Sequence, residues 1–442
     1  MKKLFISIAF GILLSAPALA ENNTTMDQVV KELAALSERV SRLEQDNNEL
    51  RAENSALRAS NDRIQVTTKS LQESAATTVE QRVQDDARLA EAESASRFSW
   101  KADLRYRYEG IDREEAITDR TRHRVRARLA MSAKINDTLT GTIGLATNGG
   151  TDDPRSTNQT LGEDSSRKGI GVNLAYVDWK PVDGFTMTFG KMPQPQFKPA
   201  DFFFDGDITP EGIAARYASG PFFASAFGYS LSERSKASDA SLVGGQFGFT
   251  GNVGEVKLTG ALGYYDVGSV QGQITTNSGG SCAANLAFFG GPQGNTTVLN
   301  DAGCETLVND YNMIEAVALA EFNLVGKPVK IYAEYIQNTQ ADDLDTGYLA
   351  GFSFGKASDP NSWEFGYAYA MIEKDAQFGQ FMDSDFGGGV TDTEGSVFRI
   401  GYAPAKRWVL RGTYLMNNRF IDAPGATERD YDRYQIDMNF KF

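Results

Sequence analysis

From Val29 onward, apolar residues recur at alternating spacings of four and three: Val29, Leu33, Leu36, Val40 and Leu43, then Leu50, Leu57, Ile64 and Leu71. Charged residues such as Glu32, Glu38, Arg39, Arg42, Glu49 and Glu53 flank this stripe. It is as narrow as a coiled-coil seam, and narrower than the face a helix buries on a globular body. With Leu33 at heptad position a, Leu36, Leu43, Leu50, Leu57 and Ile64 fall at d, and Asn47, Asn54 and Asn61 occupy three successive a positions. A seam Asn is satisfied opposite another Asn, so three favour identical parallel chains in register. The seam alone leaves two or three strands open. Residues 21–71 therefore read as a coiled coil, about 64 Å long between Val29 and Leu71 at 1.5 Å per residue. Residues 72–97 keep a helical composition without the leucines and read as a helical neck or linker.

At Phe98 the period changes from seven to two. In Ser99–Glu109, Trp100, Ala102, Leu104, Tyr106 and Tyr108 share one face, while Lys101, Asp103, Arg105, Arg107 and Glu109 share the other. Strands are expected near 98–109, 120–134, 138–147, 169–180, 184–191, 210–219, 221–231, 241–251, 255–266, 311–325, 328–338, 344–357, 362–372, 392–404, 406–417 and 430–442. Connections such as INDT, PVDG, SG, GNVG, GK, SDPN and PA are short and alternate with mostly long ones, the shortest of the long set being Thr339–Asp343. An even number of strands with loop length sorted by parity predicts an all-β transmembrane barrel of about 16 antiparallel strands over 98–442. A sandwich has no reason to sort its loops this way.

The 442 residues carry a net charge of −14 and a mean hydropathy of −0.37. The acidity argues against nucleic-acid partners. One His and two Cys leave no metal site or cofactor to expect. Residues 1–20, with Lys2, Lys3, an apolar run and Ala18-Leu19-Ala20, read as a signal peptide, which places the chain in an oxidising compartment. There, Cys282 and Cys304, both in the longest loop, are expected to form a disulfide.

Three segments carry a family resemblance: Ala175-Tyr176-Val177-Asp178-Trp179-Lys180-Pro181; Gly190-Lys191-Met192-Pro193-Gln194-Pro195; and Asp205-Gly206-Asp207-Ile208-Thr209-Pro210-Glu211-Gly212. With the arginine-rich start at 105–128, they resemble the Putative porin family of Gram-negative bacteria. The final strand, ending on Phe440 and Phe442, resembles the carboxy-terminal assembly signal of outer-membrane barrels. The resemblance implies an outer-membrane location, the coiled coil in the periplasm, a homotrimer, contact with outer-membrane lipid and lipopolysaccharide, and a diffusion channel.

Arg120, Arg122, Arg124, Arg126 and Arg128 lie on one face of a strand, opposite the only His, His123. An arginine facing lipid at the bilayer midplane costs about 2–4 kcal/mol, so this ladder should face the lumen. There water would screen its self-repulsion, which argues for an open rather than a packed interior. Arg105, Arg107, Arg399, Arg407, Arg411, Arg433 and Lys441 share that phase and complete a basic wall. General porins fold their third long loop inward. Here that loop, 191–209, carries Lys191, Lys198, Asp201, Asp205 and Asp207 around Phe202-Phe203-Phe204, and its acids are expected across from the wall at a constriction. The competing readings are a solvated rim for the arginines, and plain surface charge or cation and lipopolysaccharide contacts for the acids.

Hydrolysis would need a base beside a nucleophile, and His123 sits on the lipid-facing phase without a carboxylate to orient it, so no enzyme activity is expected. The sequon at Asn295 carries no weight here. The alternatives to a general diffusion channel are a solute-specific channel of anion type, and an envelope tether whose coiled coil reaches toward peptidoglycan.

Overall fold

The computed structural model describes residues 26–114, 116–147, 153–234, 238–275, 282, 291–421 and 428–442. The expected signal peptide lies outside them. The chain divides into two units, Met1–Ala92 and Glu93–Phe442.

Helix α1 spans Met26–Ser96 without interruption, so no break separates the heptad stretch from the expected neck. Leu33, Leu36, Leu43, Leu50, Leu57 and Ile64 are all exposed along it. Glu38 and Arg42 pair at i,i+4 (2.8 Å), and Asn54 Nδ2 turns back onto the Leu50 carbonyl (2.9 Å).

The second unit is a closed barrel of sixteen antiparallel strands. They are β1 (Phe98–Arg113), β2 (Arg120–Lys134), β3 (Leu139–Thr147), β4 (Ile170–Trp179), β5 (Phe185–Lys191), β6 (Glu211–Ser219), β7 (Phe222–Ser232) and β8 (Ala240–Val253). The second half comprises β9 (Val256–Gly268), β10 (Tyr311–Leu324), β11 (Lys327–Asn338), β12 (Thr346–Gly355), β13 (Ser362–Ile372), β14 (Thr393–Ala405), β15 (Trp408–Arg419) and β16 (Arg429–Lys441). Each pairs with its neighbours in sequence, and β1 also pairs with β16, so no edge is left.

Strand β1 runs four residues past its expected end at 109, because Gly110–Arg113 continue the ladder with β16. Strand β12 is shorter than expected at both ends, where Leu344 and Gly355 have positive φ. The ladder of β2 with β3 covers only Arg128–Lys134, and the returning segment Gln159–Thr160 pairs with Arg124 and Val125 above it. Part of the long β3–β4 connection thus patches the wall.

Alternation along the strands sorts the side chains. Trp100, Leu104, Ile143, Phe247, Leu262, Ile331, Phe365, Tyr414 and Ile436 are exposed, as a lipid-facing belt requires. The opposite faces of β7 to β14 carry a buried apolar cluster containing Phe227, Tyr265, Met313, Ile336, Leu349 and Val397. That cluster continues into two connections: Met192 and Phe202-Phe203-Phe204 after β5, and Phe378, Phe381, Met382 and Phe386 after β13. An interior free of packing, expected from the arginine ladder, is therefore not what this side of the barrel has. The apolar residues of these two connections have nowhere else to be buried.

Candidate functional site

The wall formed by β16, β1 and β2 follows from strand register. Across β1 and β2, Arg105 stands opposite Arg126, Arg107 opposite Arg124, Asp103 opposite Arg128 and Glu109 opposite Arg122. Asp103 bonds both Arg126 (2.9 Å) and Arg128 (2.8 Å). Glu109, fully buried, pairs with Arg122 and lies 3.6 Å from Arg124. Asp437 on β16 takes Arg107 with two bonds, at 2.7 and 3.0 Å. The basic wall is thus laced with acids that phase alone shows but only register pairs. These carboxylates, and not water alone, offset the repulsion.

Arg105 differs. Among the described residues no carboxylate lies within ion-pair distance of it, and its guanidinium donates to Asn158 Oδ1 (2.7 and 3.1 Å). Arg433 pairs with Asp385 and donates to the Tyr431 hydroxyl (2.6 Å). Arg399 sits 5.7 Å from the centre of the Phe202 ring, and Arg411 reaches Glu364 at 3.2 Å. Arg407 does not join the wall. It lies in the two-residue turn between β14 and β15 with φ 65° and is exposed. Lys441 ends β16 and is exposed as well.

The 192–210 connection is clasped at its base by the residues of the family-like segments. Gly190 has φ 117°, and a Cβ there would run into the Ala175 carbonyl, so the strand can turn out at this point only with glycine. Lys191 Nζ bonds the Thr209 carbonyl and Glu211 (both 2.9 Å), Met192 N donates to the Pro210 carbonyl (2.9 Å), and Gln194 Nε2 holds the Asp205 (2.6 Å) and Ile208 (3.1 Å) carbonyls. On β8, Gln246 imitates a neighbouring strand, accepting from Phe197 N (2.8 Å) and donating to Phe197 O (2.9 Å). Nothing in the period of the sequence marks that role.

At the tip, Lys198 pairs with Asp201 (2.9 Å) and bonds the Phe204 carbonyl. Asp207 accepts from Arg128 (3.2 Å) and from Thr157 N (3.2 Å) and Oγ1 (3.1 Å). Asp205 accepts from Ser384 N (2.9 Å), and Asp205 N donates to the Phe381 carbonyl (2.7 Å), so this connection is zipped to 373–392. The same connection is held by Asn295 at its other side, which donates to the carbonyls of Lys374 (2.9 Å) and Gln377 (2.8 Å) and accepts from Gly379 N (2.8 Å). The Asn295 sequon is therefore a buried structural clamp. Cys282 and Cys304 in that longest connection are bonded, with Cα atoms 5.5 Å apart.

The 373–392 connection brings two carboxylates that sequence reasoning does not single out, since only tertiary packing places them. Burial, reinforced by the charge of Asp385, lifts the Asp383 carboxyl to about 6. Burial would lift Asp385 too, but Arg107 and Arg433 outweigh it and hold that carboxyl well below the usual range. Asp205 is raised by burial and by the neighbouring charges of Asp383 and Asp207.

Two cavities adjoin these groups. One, of about 320 Å³, lies among Arg105, Arg126, Arg128, Asp201, Asp207 and Asp383. The other, of about 410 Å³, lies among Arg122, Arg124, Arg167, Lys168, Glu163 and Arg433. Asn158, Ser384 and Asp385 line both, so the cavities adjoin. His123 faces away from them, with Nδ1 2.6 Å from the Tyr106 hydroxyl and its ring beside Tyr108.

Among solved structures the chain is similar to OprB of Pseudomonas putida, with a TM-score of 0.52 and 12% identity over 80% of this chain and 96% of that one. Weaker likenesses are to a loop L8 deletion mutant of OmpT, an outer membrane protein of Vibrio cholerae (TM-score 0.46, 11% identity, 78% and 100% covered), and to a triple mutant of the Rhodopseudomonas blastica porin (0.45, 9%, 78% and 100%). No curated protein matches the chain. The model of the family described as Putative porin matches residues 111–321 and 310–442, most of the chain and nearly all of the barrel. The chain belongs to the Putative porin family and forms a channel in the outer membrane.

Proposed function

We propose that this porin is a water-filled channel for passive diffusion of small hydrophilic solutes and ions. In this reading the 192–210 loop folds into the lumen and opposes its acids, with Asp383 and Asp385, to the arginine wall. The observation that carries it is the pairing of Arg128 with Asp207 beside Arg105, which has no carboxylate partner among the described residues, around a cavity of about 320 Å³. A solute crossing such a gap meets cations on one side and carboxylates on the other, so dipolar solutes are oriented and ions are sorted by charge as well as size. Helix α1 supplies most of a periplasmic coiled coil, expected over 21–71, that joins three copies through Asn47, Asn54 and Asn61.

Reversal potentials in several salts across planar bilayers, followed by liposome swelling with sugars and organic acids, test the reading. Replacing Arg122, Arg124 and Arg126 together by Gln should move selectivity toward cations. Unchanged selectivity and conductance would overturn the assignment of the wall. Deleting residues 26–71 separates assembly from tethering: loss of trimers with loss of channels favours assembly, whereas lost envelope integrity with intact conductance favours a tether.

A further inference from the structure

The two adjoining cavities differ in charge. In the smaller one, Arg126 and Arg128 are matched by Asp103 and Asp207. The larger is lined by five cations, Arg122, Arg124, Arg167, Lys168 and Arg433, against three carboxylates, Asp153, Glu163 and Asp385. Those carboxylates are already engaged: Asp153 by Arg155 (3.0 Å), Glu163 by Lys168 (2.7 Å), and Asp385 by Arg107 (2.8 Å) and Arg433. Arg122 and Arg124 share one further carboxylate, Glu109, which also lies 3.8 Å from Arg107.

Two of the cations are more than nine-tenths buried, Arg124 at 9% exposure and Arg433 at 4%, and in each the Nε–H has no hydrogen-bond partner among the described residues. At the rim, Arg167 is exposed with no ion pair among the described residues. Burying guanidinium groups in excess over carboxylates is costly unless a further anion shares the space. The planar donors of arginine match oxygens held in pairs, as in carboxylate and phosphate.

We infer that the cavity bounded by Arg122, Arg124, Arg167 and Arg433 is a binding site for compact oxyanions, solutes bearing a carboxylate or phosphate group, which are captured there before they reach the smaller cavity beside it. The inference rests on the channel reading and adds a saturable step to it. Ser156, Asn158 and Thr160 along the same lining supply neutral polar groups for the rest of the solute.

The test uses the full-length purified protein in planar bilayers in KCl, with succinate, inorganic phosphate or sucrose added. Succinate or phosphate should reduce the chloride current along a saturating curve, and sucrose should not. Block by succinate alone assigns carboxylates, and block by phosphate alone assigns phosphate groups. Arg124→Gln should raise the half-blocking concentration by roughly tenfold, in proportion to the loss of one charge-assisted pair. Arg167→Gln, at an exposed position with no ion pair among the described residues, should raise it several-fold with the fold intact, and Lys330→Gln, on β11 at the Glu321 pair, should leave it unchanged. Conductance without saturable block by either anion, or block indifferent to both arginine variants, overturns this inference alone. Absence of any conductance would instead overturn the channel reading.

Discussion

Arg107 on the first barrel strand and Asp437 on the last meet across the closure seam, Nε to Oδ1 at 2.7 Å and Nη2 to Oδ2 at 3.0 Å, with both side chains about 5% exposed. The forked geometry fixes the register in which the two chain-distant strands close. Asp437→Ala leaves Arg107 with Asp385 as its close partner and should destabilise the folded barrel by about 2–3 kcal/mol. Urea unfolding in detergent micelles would measure this. A double variant replacing Arg107 as well should lose less than the sum of the two single changes.

Arg105, held by Asn158 and by no carboxylate among the described residues, is a wall cation without a local counter-charge. Arg105→Gln should move the reversal potential toward cations more than Arg126→Gln does, because removing Arg126 also leaves Asp103 to its second partner, Arg128. Paired reversal-potential measurements in dilute KCl, where screening is weak, give the comparison.

The Asp383 carboxyl, raised to about 6 chiefly by burial, is neutral in acid and gains its charge as pH rises through that value. Between about pH 5 and 7 the channel should therefore become more cation-preferring, and Asp383→Asn should flatten the change. The sign for stability is opposite to that of a paired carboxylate. Protonated Asp383 contributes stability that is full below the ordinary aspartate value near 3.8 and is lost as pH rises through about 6.

Phe203 is fully buried between the 192–210 loop and the barrel, touching the position of Gly347 beside Ile336. Phe203→Ala should cost about 3–5 kcal/mol locally, loosening the loop more than the strands. Single-channel records should show larger or noisier conductance with barrel mobility on unheated gels unchanged. Identical conductance would show that the loop does not limit flow.

The strands were legible because a membrane barrel writes period two into its sequence. Ser362–Ile372 coincides with the segment expected at 362–372, and outward residues such as Trp363 and Phe365 follow from alternation alone. The inward face of β1 could be read the same way, yet which acid meets which arginine could not, since that depends on register between strands as far apart as residues 107 and 437. Arg407 falls outside the wall because a two-residue turn holds it at positive φ, a demand that charge phase does not reveal. Gln246, Asn295, Asp383 and Asp385 carry no periodic signal at all. Their roles arise where connections far apart in sequence pack together.

Phe202-Phe203-Phe204 and Phe378, Phe381 and Phe386 pack two connections into the apolar cluster carried by β7 to β14. The number of strands sets the circumference, but in the proposed channel the free cross-section is what remains once these connections are packed against the wall. Aperture is thereby uncoupled from scaffold: edits confined to two connections could retune what passes without a single change to the strands that insert, pair and close.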